Sequence, residues 1–187
     1  HLHDRNDDPG FDPERYAKFI DRADTFVLPS VIRGAGQFPH STPRVVQDGA
    51  SYALDEIRNG ANVPPVFHDY EAGFAAVNLS VAIQSVVALQ RVGLVPGVDL
   101  FIEGGFRNNH AYLSLLAALL PDNPVAVTSF EEATAVGAAL CAKAIVESTE
   151  IESFRELIQI EEQPVSPAHL TGLQSYAERF LNAVENA

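Results

Sequence analysis

Two adjacent glycines, Gly104 and Gly105, follow an apolar run at 98–102 and precede Asn108 and Asn109. Glycines between the carboxyl end of a strand and the start of a helix let the backbone approach a ligand, and the unpaired N–H groups of the helix start favour anions. By itself such a pair serves equally well as a packing turn. It is not the dinucleotide fingerprint, which needs G-x-G-x-x-G, nor a P-loop, which needs Gly-Lys followed by Ser or Thr. Gly137 stands among Ala133, Ala135, Ala138, Ala139 and Ala142, small residues that allow another backbone or a ligand to come close.

The other polar candidates have simpler readings. His68-Asp69 has the composition of a dyad, but at the head of a helix Asp69 reads better as a cap, with His68 in solvent. Arg107 could steer a phosphate, although an exposed turn residue is the better reading. His40, His110 and His169 have no partners at metal-ligand spacing, so no metal-ligating residue is assigned. His1, His3, Asp4, Asp7 and Asp8 belong to a polar stretch ending in Asp8-Pro9-Gly10. Residues 1–10 are therefore expected to be a linker or frayed end.

Composition narrows the setting. The chain has 187 residues, 47% of them apolar, enough for one packed domain at roughly 100–200 residues each. Twelve basic against 25 acidic residues give a net charge of −13, with no basic cluster. Nucleic acid is excluded as an expected partner, because phosphate contacts need clustered Lys and Arg. A phosphate ligand would have to be held by backbone N–H groups and a metal ion. The single Cys141 sits in an Ala-rich run and is expected to be an inert core thiol. No apolar stretch approaches about 18 uninterrupted residues and the N-terminus has no signal-peptide plan, so a soluble, cytoplasmic chain without a membrane partner is expected. The absence of Met leads to the expectation of a chain that begins downstream of a translation start, unless modified methionines are omitted.

The elements that must position these residues follow from periodicity. Asp12-Pro13-Glu14 opens a helix to about Arg22 with Tyr16, Phe19 and Ile20 on one face. Residues 25–28 read as a strand closed by Pro29, and 33–43 as a Gly/Pro loop. Residues 44–65 are ambiguous, with a short helix near 52–58. Residues 68–92 form a long helix apolar on two faces, which makes it central. After the strand at 98–102, Asn108 or Asn109 caps a helix with a Leu113, Leu116, Ala117, Leu120 stripe. A second strand at 124–128 leads, through capping-box spacing of Ser129 and Glu132, to a helix at 131–147. A last helix opens at Ser166-Pro167, with Leu170, Leu173, Ala177 and Val184 on one side. This order implies parallel strands joined by crossover helices.

The run Leu100-Phe101-Ile102-Glu103-Gly104-Gly105-Phe106-Arg107-Asn108-Asn109, with Glu131-Glu132-Ala133-Thr134-Ala135-Val136-Gly137-Ala138-Ala139 one β unit later, resembles the C-terminal lobe of FGGY-family carbohydrate kinases. Residues 68–92, the segment around Phe26-Val27-Leu28-Pro29, and the tail from Ile160 to Pro167 are similar to flanking family segments. The resemblance implies an α/β, ribonuclease H-like, actin-like ATPase fold. Residues 11–187 would form a partial C-terminal lobe with mostly parallel strands flanked by helices. It implies ATP-dependent, Mg²⁺-assisted phosphorylation of a sugar or polyol. By position, Gly104 and Gly105 would lie against the nucleotide, Asn109 or Asn108 near the adenosine, and Gly137 where its helix nears the same pocket. The resemblance places the catalytic Asp and the first phosphate hairpin in the N-terminal lobe of the same protein, upstream of this chain, so no catalytic residue is assigned and this chain alone is expected to be inactive. A second copy of the chain is a further candidate partner. The alternative is a non-catalytic actin-like domain used for association or regulation.

Overall fold

Helix starts occur where a short acceptor precedes an apolar pattern. In the computed structural model, which describes residues 7–29, 34, 36–129, 133–157 and 161–185, Asp12 accepts from the backbone N–H groups of Glu14 and Arg15. With Pro13 in the first turn it opens α1 (Pro13–Arg22). Asp69 does the same for α3 (Tyr70–Arg91) through Glu71 and Ala72, and Asn109 for α4 (His110–Leu119) through Tyr112.

Between α1 and α3 lie β1 (Thr25–Leu28), β2 (Arg44–Gln47), β3 (Ala50–Ala53) and α2 (Leu54–Asn59). These strands form one antiparallel sheet, Thr25 opposite Gln47 and Gln47 opposite Ala50. The turn between β2 and β3 is Asp48-Gly49, with φ of +51° and +76°. Two left-handed residues match the right-handed twist of the strands they join.

A second sheet holds β4 (Leu100–Ile102), β5 (Val125–Thr128) and β6 (Glu162–Pro164). Here β4 and β5 are parallel, Ile102 opposite Val127, whereas β6 runs antiparallel to β5. The expectation of mostly parallel strands is therefore corrected: among the described residues one strand pair of four is parallel. The β2–β3 hairpin needs only a two-residue turn, while the parallel pair β4–β5 needs a crossover, which α4 supplies.

The core forms where α3, α4, β1 and α6 (Leu173–Glu185) meet. Leu79, Leu115, Leu116 and Phe180 are fully buried, each contributing roughly 1.5–3 kcal/mol relative to exposure. Tyr176 docks α6 on β1 by donating its hydroxyl to the Thr25 carbonyl at 2.6 Å, with the Phe26 ring tilted against it at 5.2 Å between centroids. Length and composition alone would let α3 cross a membrane, yet eight of its residues between Gly73 and Ile83, Leu79 and Ile83 among them, are buried within the protein. Its one glycine is explained by Phe67, whose ring would lie 2.8 Å from a Cβ at Gly73.

Three further expectations change. The last helix starts at Leu173 rather than at Ser166, because Val165 and Ala168 donate across the chain to Val125 and Ser114 instead of along it. Gly172, at φ +82°, then turns the chain into α6. Glu132 lies outside the described residues, as does Arg33 of the Gly/Pro loop, while the Ser129 hydroxyl accepts from the Glu161 N–H. Cys141 is exposed rather than buried. Its helix, α5 (Ala133–Glu147), packs chiefly against the 3₁₀ turn Ile151–Leu157, with Lys143 over the Phe154 ring.

Candidate functional site at the Gly104–Gly105 turn

Because β4 and β5 are parallel neighbours, their carboxyl ends lie side by side. The Thr128 hydroxyl ties them together by donating to Glu103 at 3.0 Å. From this edge the chain leaves β4 into Gly104, and α5 is the next described helix after β5. Crevices at the carboxyl ends of parallel strands are where α/β sheets accept ligands.

Gly104 has φ +66°, a left-handed conformation that a side chain would strain. A Cβ at Gly104 or Gly105 would meet nothing within 4 Å, and both residues are exposed. The outer side of the turn is thus open backbone that a ligand can approach. Residues Gly104–Asn108 form a 3₁₀ turn closed by the Asn109 N–H on the Phe106 carbonyl at 3.0 Å. The Phe106 ring packs tilted against Tyr112, 4.6 Å between centroids. Burial pushes the Tyr112 phenol up, opposed by its hydrogen bond to Ser85.

The two asparagines have different situations. The Asn109 side chain is engaged twice, accepting from the Tyr112 N–H at 2.9 Å and donating to Asn78 of α3 at 2.8 Å. Asn108 is exposed and lines a cavity of about 310 Å³ with Arg107, His110, Ser114 and Gln163. Gly137 lies on α5 with open space where its Cβ would stand. A larger cavity of about 540 Å³, bordered by Pro121, Pro124 and Gln174, contains none of these residues.

Asp69 acts as a cap beside an exposed His68. Backbone N–H groups, that of Ala72 foremost, together with Arg15, outweigh partial burial and hold the Asp69 carboxyl below the usual range. Arg107 is half-buried, with its Nη1 enclosed and lacking a hydrogen-bond partner. No three His, Cys, Asp or Glu side chains converge among the described residues. His40, His110 and His169 are exposed; His1, His3 and Asp4 lie outside the described residues. Two polar residues of the site escape sequence reasoning. Glu103 is visible only as the residue before the glycines, and Asn78 only as an amide inside an apolar helix.

The class to which this α/β scaffold belongs follows from comparison with known proteins. The chain is similar to the crystal structure of a carbohydrate kinase from Novosphingobium aromaticivorans, with a TM-score of 0.62 and 22% identity, over 91% of this chain and 30% of that one. That likeness assigns the fold, the actin-like, ribonuclease H-like arrangement of carbohydrate kinases. Residues 5–150 match the C-terminal domain of FGGY carbohydrate kinases, and the chain belongs to that family. No functionally curated protein matches the sequence significantly. The chain spans less than a third of the length of the solved kinase.

Proposed function

We propose that residues 11–187 form the C-terminal, nucleotide-binding lobe of an ATP-dependent kinase that transfers the γ-phosphoryl group to a hydroxyl of a sugar or polyol. The observation that carries this reading is the shared carboxyl edge of β4 and β5, where the open Gly104–Gly105 turn begins and after which α5 is the next described helix. Gly104 and Gly105 offer open backbone to the nucleotide, Asn108 stands beside them for the adenosine, and Gly137 lets α5 come close. Asn109 serves the same site from behind, through its cap and its bond to Asn78.

Magnesium fits this arrangement on the nucleotide's terms. The ion keeps several waters and takes one or two carboxylates plus phosphate oxygens, so it needs no dedicated protein cage. When bound it neutralises phosphate charge next to a chain of net charge −13. The general base and the γ-phosphate clamp are assigned to the N-terminal lobe of the same protein, and the setting to the cytoplasm. The test is ADP release by protein carrying both lobes, screened over pentoses, hexoses, deoxysugars and polyols. One acceptor class should raise the rate well above ATP hydrolysis alone; no stimulation by any acceptor contradicts the reading.

One observation favours a second reading, an actin-like domain used for association, with a second copy as partner. Ile145 and Val146 of α5 are 79% and 83% exposed, an unusual state for adjacent apolar residues on an apolar helix. Self-association abolished by Ile145→Glu, in a protein without ATP affinity, is the outcome that selects it.

A further inference from the structure

We infer that Asn78 is a positioning residue: through its hydrogen bond to Asn109 it fixes the orientation of the Gly104–Asn108 turn and the head of α4. Its consequence for ligand binding rests on the nucleotide reading above, whereas the positioning itself does not.

Asn78 lies on α3 among Ala75, Ala76, Leu79, Ala82 and Ile83, all buried, and is itself only 4% exposed. An amide in such surroundings costs free energy unless it is hydrogen-bonded, and an apolar residue would pack there without that cost. Its Oδ1 accepts from Asn109 Nδ2 at 2.8 Å, across 31 residues of chain. Asn109 in turn makes three more bonds: its Oδ1 accepts from Tyr112, its N–H donates to Phe106, and its carbonyl accepts from Leu113 at 3.0 Å. One residue thereby joins the end of the 3₁₀ turn, the first turn of α4 and the central helix. The turn's own glycines touch no side chain where a Cβ would stand, so they contribute no anchor. From α1, the buried Tyr16 hydroxyl faces the same amide. Burial raises its pKa while Asn78 opposes that rise, although neither the hydroxyl nor Asn78 Nδ2 completes a well-formed hydrogen bond.

The experiment compares Asn78→Leu, Asn109→Ser and Asn78→Asp in protein carrying both lobes. It reads amide hydrogen exchange and the Kd for ATP–Mg²⁺, with Gly105→Asp as the reference for a damaged site. Asn78→Leu should speed exchange at residues 106–113 at least tenfold, leave α6 unchanged, and weaken ATP about tenfold. Asn109→Ser, which keeps a capping hydroxyl but is too short to reach Asn78, should do the same should Asn78→Leu fold poorly. Asn78→Asp keeps the acceptor oxygen and, with its buried carboxyl held neutral by desolvation, should leave both quantities near wild type. Wild-type exchange at 106–113 in both of the first two variants overturns the positioning. Faster exchange with unchanged ATP affinity, where Gly105→Asp does weaken ATP, overturns its consequence for binding. A wild-type protein that binds no ATP defeats the nucleotide reading instead, and exchange alone then decides the positioning.

Discussion

At the scale of single residues, the polar groups divide by what they touch. Asp69 accepts from two N–H groups at the head of α3, so Asp69→Ala should cost about 1 kcal/mol in denaturant unfolding. Its carboxyl titrates lower when folded than the ordinary value of 3.8. Asp24 is also lowered: burial pushes it up, but hydrogen bonds from Arg22 and Thr25 win. The folded chain therefore binds fewer protons than the unfolded one as pH falls, and the stability from both groups is whole above about pH 5. It is lost as pH drops through the depressed folded values, and the difference between wild type and Asp69→Ala should shrink below about pH 4. A difference that grows on acidification contradicts this sign. The caps were legible because Asp12, Asp69 and Asn109 each precede an apolar run. The second bond of Asn109 was not, since its partner lies on another helix.

Elements follow local signals until a distant partner intervenes. Asp48-Gly49 between Val45-Val46 and Ser51-Tyr52 is a hairpin signal, which a reading of 44–65 as ambiguous passes over. Gly49→Ala should cost about 1–2 kcal/mol, because a side chain at φ +76° is strained although space is open. A loss below about 0.3 kcal/mol contradicts the turn geometry. Leu116→Ala, at a fully buried position on α4, a helix that packs on α3 and α6, should cost about 2–5 kcal/mol in the same assay. The apolar stripes of α3 and α4 were readable for the same reason that they pack, their helical period. By contrast β6 is a short, exposed, polar segment defined only by pairing with β5, and α6 begins late only because residues 165–168 bond elsewhere. Neither fact is written in local sequence.

For the whole molecule, the main difference between expectation and structure is α5. Its composition predicts burial, yet among the described residues it packs chiefly on one 3₁₀ turn, and Cys141 is exposed. Sequence fixes how apolar a helix is but not what covers it. Cys141 should accordingly react stoichiometrically with a thiol reagent in the folded 187-residue chain. A thiol inert in the isolated folded chain contradicts the exposed helix. The proposed function requires ATP–Mg²⁺ to meet the open backbone of Gly104 and Gly105. Titration calorimetry on protein carrying both lobes tests this directly. It should show binding by the wild type and at least tenfold weaker binding, about 1.4 kcal/mol, by a folded Gly105→Asp. Equal affinity in the two proteins contradicts it.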